Sequence, residues 1–293
     1  MTVSIASGKG GTGKTTIAVN LALCLPGPVQ LLDCDVEEPN CAIFLRPNLV
    51  SRENAAIPVP HVNEALCTAC GECGRFCRYH AIVSFKTQPL VFPELCHGCG
   101  GCTLVCPTAA ISEELRPIGV IEGGSARSIS FQQGRLNVGE AMAVPLIRAL
   151  RKRVRPGETV ILDCPPGTSC PVIASIRGSD FVVLVTEPTP FGLNDLRLAV
   201  ETVRALALPF GVVINRADVG DDGVRRYCGE KSIPILLELA DERRIAEAYS
   251  RGIPAVEALP GLRVLFEGLG ARIAAEATAN RVVSTAVGSR LDA

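Results

Sequence analysis

Gly8-Lys9-Gly10-Gly11-Thr12-Gly13-Lys14-Thr15 stands between an apolar strand pattern, Val3–Ser7, and an amphipathic helical one, Lys14–Leu25. It fits G-x-x-x-x-G-K-[ST] in the strand–loop–helix context that gives such a match meaning. Glycines let backbone N–H groups converge on phosphate oxygens, and a helix N-terminus adds positive dipole. Lys14 is placed to reach the β- and γ-phosphates, the Thr15 hydroxyl to ligate Mg²⁺, and Thr16 to meet the α-phosphate. A plain glycine-rich turn would need neither Lys14 nor Thr15. Together with Gly8, Gly10, Gly11, Thr12 and Gly13, these residues form the expected nucleotide site.

Outward from the loop, further strands read at Val29–Asp35, Thr159–Asp163, Phe181–Thr186, Val212–Asn215 and Ile235–Leu237. Helical periods lie between several of them, notably Leu193–Leu206 and Glu242–Arg251. Strands linked by crossovers of helical length predict an α/β fold, a doubly wound parallel sheet covered on both faces. Asp33 and Asp35 lie two apart on one extended run, so both are expected to face the phosphates, with Asp33 joining Thr15 and Asp163 as a candidate Mg²⁺ ligand. Asp163 ends an apolar strand, a costly place for a carboxylate unless a metal or donors compensate it. Ser128–Phe131 and Arg135–Val138 flank Gly134, which predicts a hairpin there. The basic run from Arg148 to Arg155 reads as the solvated end of a helix.

The alternation breaks from about His61 to Leu115, bracketed by Pro58 and Pro60 before it and Pro117 and Gly119 after it. We expect residues 61–115 to form a small inserted α+β module, and 1–60 with 116–293 to form the larger domain around it. Eight of the chain's 14 cysteines fall between Cys67 and Cys106. Cys67, Cys70, Cys73 and Cys77 form C-x₂-C-x₂-C-x₃-C, and Cys96, Cys99, Cys102 and Cys106 repeat it, with Pro107 added. This is the bacterial two-cluster ferredoxin spacing, in which each fourth cysteine serves the other cluster. One [4Fe–4S] cluster is therefore expected on Cys67, Cys70, Cys73 and Cys106, the other on Cys96, Cys99, Cys102 and Cys77. Zinc also binds C-x₂-C units, but zinc ribbons do not need a third cysteine in each run. Arg78 stands where the second run has proline, which touches the turn but not the ligand set.

The remaining cysteines carry less. Cys24 sits on an apolar helix face and reads as core, while Cys34 and Cys164 flank the aspartates, where strand packing is the default. Cys41, Cys170 and Cys228 stand alone, and the C-terminal region has no C-x-x-C. His97 lies between two ligands, yet loop filling is its default reading.

Composition narrows the class further. Hydrophobic residues make up 47% and the net charge is −1, so a packed core is expected and neither nucleic acid nor an anionic membrane is called for. Without Trp, and with 4% aromatic residues, a stacking platform for single strands is not expected. No apolar run is long enough to cross a bilayer, and no secretion signal opens the chain, so a cytoplasmic protein is expected.

The loop with its early lysine, Lys9-Gly10-Gly11-Thr12-Gly13-Lys14-Thr15-Thr16, resembles the deviant Walker A loop of the MinD/Mrp/ParA ATPases. Leu31–Asn40 is similar to that family's first switch, and Val160–Thr168 to its Walker B and second switch. The resemblance implies ATP hydrolysis, with Lys9 acting across a dimer interface, Asp35 orienting the attacking water and Asp163 holding Mg²⁺ through water. It also implies that Asn215, beside Arg216, reads adenine. A homodimer, or a heterodimer with a paralogue, is expected on ATP binding. With the ferredoxin-like insert, the chain resembles the MinD-superfamily ATPases containing an inserted ferredoxin domain. The Mrp branch implies delivery of iron–sulfur or a related metal cofactor to a client protein. The alternatives are an ATP-gated electron donor to a redox partner and a positioning ATPase. For the last, the tail Leu262–Val283 has too few basic residues to read as a membrane helix.

Overall fold

The computed structural model describes residues 1–85 and 88–288, with side chains described up to residue 280. In chain order, the first half consists of β1 Thr2–Ala6, α1 Lys14–Cys24, β2 Val29–Asp33, α2 Cys41–Leu45 and β3 Asn48–Val62. Then come α3 Glu72–Phe76, β4 Ile82–Val83, β5 Leu90–Val91, α4 Gly101–Leu104, β6 Ile111–Ala126 and β7 Ile129–Leu136. The second half follows as α5 Ala143–Arg151, β8 Thr159–Asp163, α6 Cys170–Ile176, β9 Phe181–Thr186 and α7 Pro190–Ala205. It closes with β10 Phe210–Asn215, α8 Gly223–Glu230, β11 Ile235–Leu239, α9 Arg243–Ser250, α10 Ala255–Ala258 and α11 Leu262–Gly288.

Nine of the strands form one sheet in the order β11-β10-β9-β1-β8-β2-β7-β6-β3. It is parallel from β11 to β7 and antiparallel over β7, β6 and β3. Alternate residues of the central strands feed opposite cores. Val183 and Val185 pack with α1 and α11, including Ile17, Leu21, Phe266 and Ile273. Val182 and Leu184 pack with Leu146, Ile147, Leu196 and Val200 of α5 and α7. Every residue of β9 is buried, which is why it reads as a continuous apolar run. The parallel, two-faced sheet expected from the sequence is thus observed, with helix and strand ends shifted by a few residues at most.

The hairpin expected around Gly134 is not. β7 runs unbroken from Ile129 to Leu136, and the turn lies at Arg127–Ser128, where Arg127 has φ 54°. Gly134 serves close approach instead: a Cβ there would stand 2.7 Å from Val36 and 3.3 Å from Leu146. The basic run does end α5, with Arg148, Lys152 and Arg155 exposed as expected, but two of its arginines are tied down. Arg151 donates to the carbonyls of Ala174 and Arg177, and Arg153 pairs with Glu53 at 2.6 Å. The helix expected over Leu262–Val283 is present, and its side chains from Arg281 onward lie outside the described residues.

β3 and β6 form a two-stranded ribbon of 15 and 16 residues. Near the sheet it pairs Asn48 with Ser125, and at its far end Val62 with Ile111. The cysteine-rich segment hangs from that far end. α3 and α4 begin 29 residues apart, each preceded by a glycine at positive φ (Gly71 80°, Gly100 71°), so the sequence repeat is also a structural one.

Candidate functional site

The loop from Gly8 to Lys14 joins the C-terminal end of β1 to α1 in the middle of the sheet. Gly13 caps α1 at φ 95° with no side chain on the helix's first N–H groups, so these donors face the loop's hollow. Two glycines are fixed by space. A Cβ on Gly8 would stand 2.2 Å from the Asp195 carbonyl, and one on Gly13 would stand 2.5 Å from Asn215 Nδ2. The Asn215 amide donates to the Thr12 carbonyl at 2.9 Å and so ties β10 to the loop.

A cavity of about 400 Å³ opens beside the loop. Its lining includes Gly10, Gly11, Gly13, Lys14, Thr15, Thr16 and Asp35 together with Asn215, Arg216, Ile245, Tyr249 and Phe266. The lining joins the loop's phosphate-binding groups to apolar side chains that can hold a flat ring. The expected residues Lys14, Thr15, Thr16, Asp35, Asn215 and Arg216 are therefore brought together.

The aspartates divide. β2 ends at Asp33, so the extended run that would put Asp33 and Asp35 on one side stops there. Asp33 is fully buried, outside the cavity lining, and its carboxylate accepts backbone N–H groups of Cys41 (2.9 Å) and Asp35 (3.2 Å). It shapes the turn that carries Asp35 into the cavity. Burial, and then Asp163 beside it, hold the Asp33 carboxyl well above the usual range. Burial first, then Asp163, also push Asp35 up to about 6, against the pull of Lys14.

Asp163 Oδ2 accepts from the Thr15 hydroxyl at 2.7 Å and from the Cys41 thiol at 3.3 Å. Its Oδ1 is buried with no hydrogen-bond partner among the described residues. A carboxylate oxygen left bare beside a threonine hydroxyl is the donor set a hard divalent cation takes, so the residues fit Mg²⁺.

Two residues were missed by the sequence reading. Glu187 pairs with Lys9 (3.5 Å) and Arg216 (2.8 Å), and Arg216 also meets Asp241 at 3.5 Å. Glu187 directly follows β9, at the carboxyl end of the parallel strands where ligands of open α/β sheets bind, and that position was the available signal. Cys41 lacked one: only the fold brings its thiol to Asp163, 122 residues away.

On the ribbon, the eight cysteines sort into two cavities. One, of about 310 Å³, is lined by Cys77, Cys96, Cys99 and Cys102, with Pro58, Phe76 and Tyr79. The other is lined by Cys67, Cys70, Cys73 and Cys106, with Val62 and Ile111. Each quartet takes three cysteines from one run and one from the other. Sulfurs also receive backbone donors, Gly98 N–H to Cys96 at 3.4 Å and Ala110 N–H to Cys106 at 3.3 Å. Burial alone would raise the Cys106 thiol, but N–H groups of Thr108, Ala110 and Ile111 outweigh it and hold it below its usual range. Burial pushes Cys102 up to about 11. Four sulfurs around each cavity fit a thiolate-bound iron–sulfur group. His97, expected to fill a loop, stacks on Tyr79 with ring centres 3.6 Å apart.

Among the described residues, no helix is long and apolar enough to cross a membrane.

Comparison with known proteins agrees with this geometry. An uncharacterised protein of Methanocaldococcus jannaschii is 28% identical over 257 residues, covering 86% of this chain and 90% of its own. The iron–sulfur cluster carrier protein of Pyrococcus abyssi is 24% identical over 274 residues, covering 87% and 78%. Among solved structures, the septum site-determining protein MinD of Pyrococcus horikoshii with Mg-ADP superposes at TM-score 0.57 and 18% identity, covering 92% and 94%. Residues 3–255 match the CobQ/CobB/MinD/ParA nucleotide binding domain. The chain belongs to that family of P-loop nucleotide-binding proteins.

Proposed function

We propose that the chain hydrolyses ATP and uses the cycle to deliver iron–sulfur clusters, or a related metal cofactor, held on its ribbon-borne module. The observation that carries this is the sorting of eight cysteines into two cavities, each with the quartet the ferredoxin spacing requires. The cluster-carrier name of relatives such as the P. abyssi protein supports delivery as the purpose.

In the nucleotide site, Lys14 and the bare N–H groups of α1 bind the phosphates. Thr15 and Asp163 would hold Mg²⁺, with Asp33 positioned behind them. When bound, Mg²⁺ neutralises charge developing on the phosphates. Asp35 orients the attacking water by accepting its hydrogen bond, which requires the ionised carboxylate. Asn215 holds the loop through Thr12 and, with Arg216, borders the base. Lys9, one-third exposed and paired with Glu187, is free to exchange that partner for the nucleotide of a second subunit. ATP would then join two copies, or this chain and a paralogue, and hydrolysis would part them.

A second reading, an ATP-gated electron donor, is favoured by the interleaving of the two runs. Because each quartet draws on both runs, releasing one cluster loosens the frame of the other, which suits resident clusters. When bound, the clusters supply one-electron redox chemistry in that reading and are cargo in the first. Anaerobic purification with iron, sulfide and zinc assays tests the shared claim. Two cubane clusters per chain and ATP turnover abolished by Lys14→Ala are expected. Zinc in place of iron would overturn it.

A further inference from the structure

We infer that Arg116 sets the redox order of the module, raising the potential of the cluster at Cys77, Cys96, Cys99 and Cys102 above that of its neighbour. The inference rests on the reading that the module holds two clusters, and not on whether they are delivered.

The ribbon places the two cavities at different depths. The second-quartet cavity touches Pro58, Pro60 and Glu113, and the first-quartet cavity touches Val62 and Ile111. From Pro58 to Val62 the ribbon advances on the order of 13 Å, so the second quartet lies nearer the nucleotide domain. Arg116 pairs across the ribbon with Ile57, next to Pro58. The Pro58 carbonyl faces the Cys96 thiol at 3.9 Å, and a Cβ on Gly98 would come within 3.2 Å of Pro58. The Cys96 loop thus packs on the stretch of ribbon that carries Arg116.

The guanidinium there is largely withdrawn from water, 19% exposed, against Glu140 at 5%. Its two Nη groups grip the Glu140 carboxylate at 2.5 and 3.3 Å, while Nε is buried with no partner among the described residues. Besides Glu140, Arg116 interacts electrostatically with Glu94 and with Cys96 itself. Arg75 and Arg78 line the same cavity but are exposed, Arg75 to 66%, so solvent screens them. Each cavity has one glutamate in its lining, Glu72 in the first and Glu113 in the second, so carboxylates do not separate them. The first-quartet lining has no arginine or lysine, and Arg75, which also acts on Cys70 and Cys73, is the exposed one. Arg116 stands on the ribbon beneath the Cys96 loop, outside the cavity lining, and the part of its permanent charge that Glu140 does not cancel favours the more negative, reduced state of that cluster. Electrons entering at the outer cluster would then run inward, toward the nucleotide domain.

Two variants tested by EPR-monitored redox titration of the full, anaerobically loaded chain decide this. R116Q/E140Q removes both charges and keeps the buried pair hydrogen-bonded. It should lower the higher of the two potentials by about 59 mV, a tenfold change in that cluster's one-electron reduction constant, and leave the lower one in place. E140Q keeps the cation and removes its counter-charge, so it should move the same potential the opposite way. A purely structural role would not give opposite signs, and E140Q alone decides if the double variant does not load. Equal shifts of both potentials, or no shift in loaded protein, overturn the inference and leave the cluster reading standing. Wild-type protein with no cluster signal overturns both.

Discussion

Replacing Asp35 by asparagine should make the nucleotide-free protein more stable and leave it unable to hydrolyse ATP. Its carboxyl is raised from 3.8 to about 6 by burial and by Asp163. Folding therefore strengthens its hold on the proton. The folded state suffers no penalty from Asp35 at pH values below about 4, where the group is neutral whether folded or not. The penalty grows as pH rises toward 6 and is full above it. Two pKa units correspond to about 3 kcal/mol, and solvent screening of a group that lines an open cavity reduces this to about 2 kcal/mol. In a domain of this size that is a Tm increase of about 5 °C for D35N. Calorimetry at pH 4.5 and 7.5 reads it: a small gain at the lower pH and the full gain at the higher. Turnover should fall on the order of a hundredfold or more in the same variant. The acid limb of kcat/KM, centred near pH 6 in the wild type, should disappear from the residual activity. An equal Tm change at both pH values, or a more stable variant that still hydrolyses ATP at the wild-type rate, would refute the reasoning.

Three further outcomes follow from contacts around the two sites. Asn215→Ala removes the hydrogen bond to Thr12, worth about 1 kcal/mol, so the Kd for ATP should rise about fivefold by fluorescence titration with the fold intact by circular dichroism. Cys77→Ser and Cys106→Ser should each remove roughly half the iron, and of opposite clusters although Cys77 belongs to the first run; EPR distinguishes the two remaining signals. Gly101→Ala places a Cβ 2.0 Å from the Phe76 ring, which must swing out of the second-quartet cavity, so a chelator should strip one cluster faster while Tm changes by only a few degrees.

What was legible in the sequence follows from how local each signal is. The phosphate loop, the apolar strands such as β9 and the doubled cysteine spacing are written in neighbouring residues, and the structure gathers each where the pattern points. Gly134 was misread because a turn and a close approach both select glycine, and only the proximity of Val36 and Leu146 separates them. Asp33 was placed in the cavity by strand alternation, but the strand stops at that residue, and the chain turns back to satisfy its carboxylate. Glu187, Cys41 and Arg116 depend on contacts between distant segments. Arg116 lies in a ribbon strand, at a place no short motif marks.

The central claim is that the nucleotide site governs what the cysteine module releases. It is tested most directly by following iron from the loaded chain to an apo acceptor protein that takes a [4Fe–4S] cluster, under anaerobic conditions. The account predicts transfer with MgATP, little without it, and none from Lys14→Ala. Iron that stays on the chain through many turnovers, or moves equally fast without nucleotide, would contradict it.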